Sequence, residues 1–160
     1  DYKGFIFLGL MNDDGEPKVI EYNCRLGDPE TEVVIPRIKN DLVELLMATA
    51  EQRLDEITIE TDERAVATVV AVSGGYPGDY EKGKIISGLQ DPVLADSMIF
   101  HSGTKKEGND IVTNGGRVLA ITSFGENITE AVEQSNYMLE QLDFEGMYYR
   151  TDIGYEFSIQ

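Results

Sequence analysis

Residues 18–32 read Lys18-Val19-Ile20-Glu21-Tyr22-Asn23-Cys24-Arg25-Leu26-Gly27-Asp28-Pro29-Glu30-Thr31-Glu32, and both fold and chemistry are read outward from them. Glu21 and Asn23 stand two apart in an apolar run. In a β-strand, where successive side chains point to opposite faces, these two oxygen-bearing groups project side by side. Just upstream, Gly4-Phe5-Ile6-Phe7-Leu8-Gly9-Leu10-Met11 is an apolar run too short for a typical helix, and Asn12-Asp13-Asp14-Gly15 is a turn signal. Together the two runs predict a β-hairpin. Downstream, Asp28 precedes Pro29, the residue best tolerated at the first helical position, so a short helix is expected there, ended or kinked by Pro36. A longer helix is expected from Asp41 to about Arg53: Asp41-x-x-Glu44 has the form of a capping box, and Leu42, Leu45, Leu46 and Ala50 keep helical spacing.

From Ile57 the character changes. Ile57-Thr58-Ile59-Glu60-Thr61 and then residues 64–72 are rich in β-branched side chains and predict two strands. The change places a boundary near residue 56, between units 1–56 and 57–160. Ser73-Gly74-Gly75-Tyr76-Pro77-Gly78 reads as a loop, and residues 83–100 as short strands broken by Gly88 and Pro92. Residues 111–113, Asn114-Gly115 and residues 117–122 predict a hairpin, because Asn-Gly supplies the positive φ angles of a type I′ turn. A final helix over 128–142 starts at Asn127-x-x-Glu130 and carries Ile128, Ala131, Val132, Met138, Leu139 and Leu142 on one face; a short strand over 147–150 follows. The fold class is α+β.

Composition narrows the partners. With 30 carboxylates against 13 Lys and Arg, the net charge of -17 opposes nucleic acid and anionic lipid alike. No apolar run approaches the roughly 20 residues that span a bilayer, so a soluble protein without membrane partners is expected. Cys24 is the only cysteine and His101 the only histidine, which excludes an internal disulfide and leaves a Cys/His zinc site short of ligands. A metal here would be held by oxygen, which favours Mg²⁺. The chain opens Asp1-Tyr2-Lys3-Gly4, with neither an initiator Met nor a signal-like core, and is expected to be a segment of something longer.

The run Ile20-Glu21-Tyr22-Asn23-Cys24-Arg25 resembles the last metal-binding strand of ATP-grasp ligases, and its continuation Gly27-Asp28-Pro29-Glu30 resembles the phosphoribosylamine-glycine ligase family in particular. Ser73-Gly74-Gly75-Tyr76-Pro77, His101-Ser102-Gly103-Thr104, Gly115-Gly116-Arg117-Val118-Leu119 and Tyr149-Arg150-Thr151-Asp152-Ile153-Gly154 are similar to stretches of that family's C-terminal domain, in the same order. The resemblance implies that residues 1–56 are the C-terminal remnant of an ATP-grasp domain. Residues 57–160 would then be a small β-rich, barrel-like domain of barrel-sandwich or single-hybrid type with one long helix. It implies an ATP-dependent ligase that joins glycine to 5-phosphoribosylamine through a glycyl phosphate in de novo purine biosynthesis, in the cytoplasm.

The same resemblance makes Glu21 and Asn23 ligands of a Mg²⁺ or Mn²⁺ ion that neutralises the phosphates of ATP, the co-substrate. Arg25 lies two residues further on. If the strand persists, it shares their face and clamps a phosphate or carboxylate. Asp28 either holds the ammonium of glycine or caps a helix beginning at Pro29, whose N-terminus would attract an anion such as the ribose 5-phosphate. His101 either donates to a phosphate or bonds within its own loop. Asn114-Gly115-Gly116 is hairpin geometry or a phosphate cradle, Gly74-Gly75 a turn or a substrate contact, and Lys105 and Lys106 belong to a solvated loop.

Among 30 carboxylates a Glu-x-Asn pair arises easily as a solvated face, so the Gly27-Asp28-Pro29-Glu30 continuation carries the reading. The flexible Gly-rich loop, the upstream lysines and the N-terminal α/β domain of such ligases are not in this sequence. The chain alone is therefore expected to bind ATP poorly and to catalyse nothing, its partners being the missing portions of the same polypeptide. Two rivals remain: another ATP-grasp carboxylate-amine ligase, which would keep Glu21 and Asn23, and a non-catalytic binding module.

Overall fold

Strand β1 (Phe7–Asp13) pairs antiparallel with β2 (Glu16–Asn23), and the expected hairpin forms. The turn is tighter than the polar cluster suggested: Asn12 and Asp13 continue the strand, and Asp14 and Gly15, at φ 50 and 91, make the reversal. Asp-Gly suits a two-residue turn that needs positive φ at both positions. The register shifts between Gly9 and Leu10, a β-bulge that sharpens the local twist. The computed structural model describes residues 1–90 and 94–157, and the chain divides into two units, Asp1–Glu63 and Arg64–Gln160.

In the first unit, α1 (Thr31–Val34) runs into a 3₁₀ turn, Ile35–Arg37, in which Pro36 stops the helix as expected. Helix α2 (Leu42–Glu51) is capped by the Asp41 carboxylate, which accepts from the Val43 N–H at 2.8 Å and the Glu44 N–H at 3.2 Å. It ends at Gln52 in the left-handed conformation. The strand expected over 57–61 does not form. Only Thr61 bridges, to Ile38, and the Asn40 side chain replaces a neighbouring strand: its Nδ2 donates to the Thr58 carbonyl at 3.0 Å and its Oδ1 accepts from the Glu60 N–H at 2.7 Å. These bonds tie residues 58–62 to the first unit, so the division falls at 63/64 rather than where composition changes.

The second unit is built on β7 (Arg117–Gly125), whose apolar run Val118-Leu119-Ala120-Ile121 is fully buried. Strands β3 (Ala65–Val72) and β4 (Ser97–His101) flank it, both antiparallel, giving the order β3-β7-β4. Helix α3 (Ile128–Glu140) packs on this sheet. Asn127 caps it, accepting from the Glu130 N–H at 3.0 Å, while Glu130 reaches back to the Glu126 N–H at 2.9 Å. Val69, Ile121, Met138, Leu139 and Phe144 close the core; each fully buried apolar side chain of this size contributes about 1.5–3 kcal/mol relative to exposure.

Two expectations about this unit are corrected. Asn114-Gly115 is not a hairpin turn: β6 (Asp110–Thr113) pairs instead with β5 (Thr104–Glu107) across Gly108-Asn109, where Gly108 has φ 63. β7 is already claimed on both edges by β3 and β4, so β6 has no edge of β7 to join. The strand expected over 147–150 reduces to one bridge, between Tyr148 and Val72. Of the short strands expected over 83–100, β4 forms, while Ile85 and Ser87 make single bridges; Pro92 lies outside the described residues. Sheets, one long helix and short connections make an α+β fold.

Candidate functional site

Pairing of β2 with β1 sets Glu21 opposite Gly9 and Asn23 opposite Phe7, in unbroken register, so both oxygen-bearing side chains stand on one face. Gly9 leaves the room this needs: a Cβ there would stand 2.9 Å from Glu21 Cγ. Glu21 is exposed and Asn23 half-buried. One anionic and one neutral oxygen suit Mg²⁺, which usually takes one or two protein ligands and completes its shell with phosphates and water. Among the described residues, no group of three or more His, Cys, Asp or Glu gathers for a metal. The pair fits a divalent cation as part of a shared coordination set.

Arg25 is placed differently from expectation. The strand ends at Asn23, the chain bends, and the Arg25 Nη1 donates to the Leu26 carbonyl at 3.0 Å. It belongs to the loop beside the Glu21 and Asn23 face, not to the face. Asp28 is not a helix cap either. Helix α1 starts at Thr31, after Glu30, because Thr31 returns both its N–H (3.1 Å) and its hydroxyl (2.6 Å) to the Gly27 carbonyl, and the Glu32 N–H returns to Pro29 at 3.1 Å. With only four residues, α1 has too little dipole to draw an anion, which removes that expectation as well.

The loop motif now has a physical reason. Gly27 is buried, and a Cβ on it would stand 2.5 Å from the Glu30 carboxylate and 3.3 Å from the Phe7 ring. A side chain there would require the exposed Glu30 carboxylate to swing away. Asp28 is exposed at its crest. Glu32 was missed: its Oε2 is buried with no hydrogen-bond partner among the described residues, and no spacing rule signals that.

In the second unit, three of the quoted motifs meet at one end of the sheet. Val72 ends β3 opposite Arg117, which starts β7, and the register shifts between Ala71 and Val72; His101 ends β4. Ser73 donates its N–H to the Gly116 carbonyl (2.7 Å) and its hydroxyl to that of Gly115 (2.8 Å). The Gly103 N–H bonds the Arg117 carbonyl at 2.9 Å, and the Asn114 N–H that of Gly103 at 2.7 Å. His101 is exposed and its Nδ1 pairs with Thr104 Oγ1 at 3.0 Å, the loop bond expected as one of its two roles. Lys105 sits on β5 and pairs with Glu107 at 3.1 Å. Elsewhere on this unit, Arg150 hydrogen-bonds the Asp152 carboxyl and holds it below the usual carboxylate range. Lys84 does the same to Glu81 and is itself raised, first by Glu81 and then by Glu145.

Residues 66–156 match the family model described as phosphoribosylglycinamide synthetase, C domain. Curated relatives named phosphoribosylamine–glycine ligase extend the match: that of Vibrio vulnificus is 48% identical over 155 residues, covering 96% of this chain and 36% of the relative. Those of Nostoc sp. and Escherichia coli are 49% and 47% identical, over 158 and 156 residues, covering 97% and 96% of this chain and 37% and 36% of the relatives. The chain thus spans little more than a third of their length. The crystal structure of phosphoribosylamine–glycine ligase from Thermotoga maritima superposes with a TM-score of 0.74 at 36% identity, over 92% of this chain and 36% of that one. Urea carboxylase of Kluyveromyces lactis, at 16% identity and a TM-score of 0.66 over 99% of this chain and 14% of that one, shares the fold alone.

Proposed function

This chain belongs to the phosphoribosylamine–glycine ligase family, and from that premise we propose that it is the C-terminal part of an enzyme joining glycine to 5-phosphoribosylamine with ATP, in purine biosynthesis. The observation that carries the proposal is the Glu21 and Asn23 pair on one strand face, directly before the closed Gly27 to Thr31 loop. The first unit, Asp1–Glu63, is then the end of an ATP-grasp domain, and the second, Arg64–Gln160, the family's barrel-like C-terminal domain. The exposed apolar side chains of the hairpin, Leu8, Leu10, Val19, Ile20 and Tyr22 among them, suit a surface that further polypeptide covers.

In this reading a glycine carboxylate oxygen takes the terminal phosphoryl group of ATP and ADP leaves. The amine of phosphoribosylamine then attacks the acyl carbon, loses a proton, and phosphate departs. Glu21 and Asn23 would hold Mg²⁺ or Mn²⁺, which when bound offsets the charge of the phosphates. Arg25 keeps most of its guanidinium N–H groups beyond the Leu26 bond for a carboxylate or phosphate in bidentate contact. Asp28 offers an exposed carboxylate to the glycine ammonium. The chain alone would be inactive, and its working partner is the rest of the same cytoplasmic polypeptide.

The test is Mg-ATP-dependent formation of glycinamide ribonucleotide by the longer parent, wild type beside Glu21→Ala. Turnover that falls at least about 100-fold in the variant is expected, since a metal ligand is lost and even outer-shell partners cost 10 to 100-fold. Turnover with another carboxylate but not glycine would move the protein to the rival ligases, and turnover by residues 1–160 alone would overturn the assignment of a partial site.

A further inference from the structure

A side chain that holds a metal must keep one direction, and Asn23 has no bonded partner to set it. Neither its amide nor the Glu21 carboxylate makes a hydrogen bond or ion pair among the described residues. Packing is then what orients Asn23, and its neighbours on that face of the ribbon are few. Gly9, opposite Glu21, offers no side chain; Phe7, opposite Asn23, offers a ring. Directly opposed residues of an antiparallel pair have Cβ atoms about 4.5–5.5 Å apart, so Phe7 stands against Asn23 across the strand pair.

The same ring reaches the loop. A Cβ on the buried Gly27 would stand 3.3 Å from Phe7 Cε2, so the ring edge packs on the backbone where the chain turns toward Asp28. Phe7 is half-buried, whereas its chain neighbours Ile6 and Leu8 are 64% and 49% exposed. The large side chain that this stretch buries is thus the one between the oxygen pair and the loop. A phenyl ring is rigid, rotates about few bonds and carries no polar atom to compete for a metal, which makes it a stiff spacer.

We infer that Phe7 is a positioning residue for phosphoryl transfer: it holds the Asn23 amide in the direction a metal needs and fixes the distance from the metal pair to the loop 27–31 that carries Asp28. This rests on the ligase reading, which makes Glu21 and Asn23 the metal pair and sets glycine at Asp28. Phe7 acts through these neighbours and contacts neither metal nor substrate in this role. Its effect is geometric. The glycine carboxylate and the ATP phosphate must meet in line, and a displacement of about 1 Å costs on the order of 100-fold in rate.

The test uses the longer parent and two readouts: affinity for Mn²⁺ in the presence of ADP, followed by the electron paramagnetic resonance of free Mn²⁺, and turnover with glycine. Phe7→Leu keeps an apolar side chain but removes the ring. It should weaken Mn²⁺ binding about 10-fold and lower kcat about 10 to 100-fold, as the loss of a group that orients a metal ligand does. Phe7→Tyr keeps the ring and should restore both. In an Asn23→Ala background Phe7→Leu should cost no further Mn²⁺ affinity, because the group it orients is gone. Mn²⁺ affinity unchanged in Phe7→Leu, Phe7→Tyr failing as Phe7→Leu does, or a loss that persists undiminished beside Asn23→Ala would make Phe7 a packing residue and overturn the proposal. A parent that binds no Mn²⁺ overturns it together with the ligase reading. The Mn²⁺ readout does not depend on which carboxylate is the substrate. The expected Mn²⁺ pattern in a parent that makes no glycinamide ribonucleotide keeps Phe7 in its role and removes the ligase reading alone.

Discussion

The Ser135 hydroxyl on the buried side of α3 donates to Ser123 Oγ at 2.9 Å, and Ser123 pairs with Ser97 at 2.8 Å. One line of hydroxyls thus crosses from helix to central strand to edge strand, and all three serines are buried. A hydroxyl buried in an apolar layer is stabilising only while paired, so the middle member matters most. Ser123→Ala leaves Ser97 and weakens Ser135 at once, and should lower stability by about 1–3 kcal/mol. A urea midpoint equal to wild type would show that the line contributes nothing.

Gly116→Ala should be destabilising through Tyr76. The new methyl overlaps the ring, which must shift or force the loop open, at a cost of about 1–3 kcal/mol. Tyr76→Ala in the same chain should remove most of that penalty, so a double-mutant cycle should return a coupling of the same order. Additive effects would place the strain elsewhere.

Arg25→Lys keeps a charge but loses the planar fork. In the longer parent the KM for glycine should rise about 10-fold, equivalent to 1.4 kcal/mol, with the KM for ATP little changed. Equal effects on both would mean that Arg25 supports the loop rather than the substrate.

Acid should release the Arg150 and Asp152 pair. Because the folded state lowers the Asp152 pKa, its contribution is present above the unfolded value of about 3.9 and is lost as pH falls through the folded one. The pair is exposed, so the effect on stability is small, and the titration itself is the better readout. The Asp152 carboxyl carbon should titrate below an unperturbed aspartate, and Arg150→Gln should bring it back. Lys84 runs the opposite way: raised, it keeps its contribution until pH climbs through its folded value, above the usual lysine range of about 10.4.

How far sequence reached depended on whether a residue's partner was local. Asp41 and Asn127 cap helices as their spacing said, because a cap bonds only two or three residues away. The Glu21 and Asn23 face followed from strand period alone. Asn114-Gly115 failed because turn chemistry does not reveal that both edges of the next strand are taken. Residues 57–61 have the composition of a strand but found an asparagine side chain in place of a partner strand. Arg25 and Asp28 were displaced because the strand stops at Asn23 and Thr31 bonds back to the Gly27 carbonyl, which delays the helix to Thr31. The meeting of residues 73–76, 101–104 and 114–117 is tertiary throughout.

Tyr22 is 70% exposed and Ile20 63%, on a two-stranded ribbon whose outer backbone edges carry no further strand among the described residues. Such a ribbon is a template for like ribbons. Copies of this chain repel one another at a net charge of -17, over about 10 Å at 0.1 M salt and only about 3 Å at 1 M. The colloidal behaviour of the chain should therefore follow ionic strength, with association through β1 and β2 expected as salt rises and sooner as the carboxylates protonate.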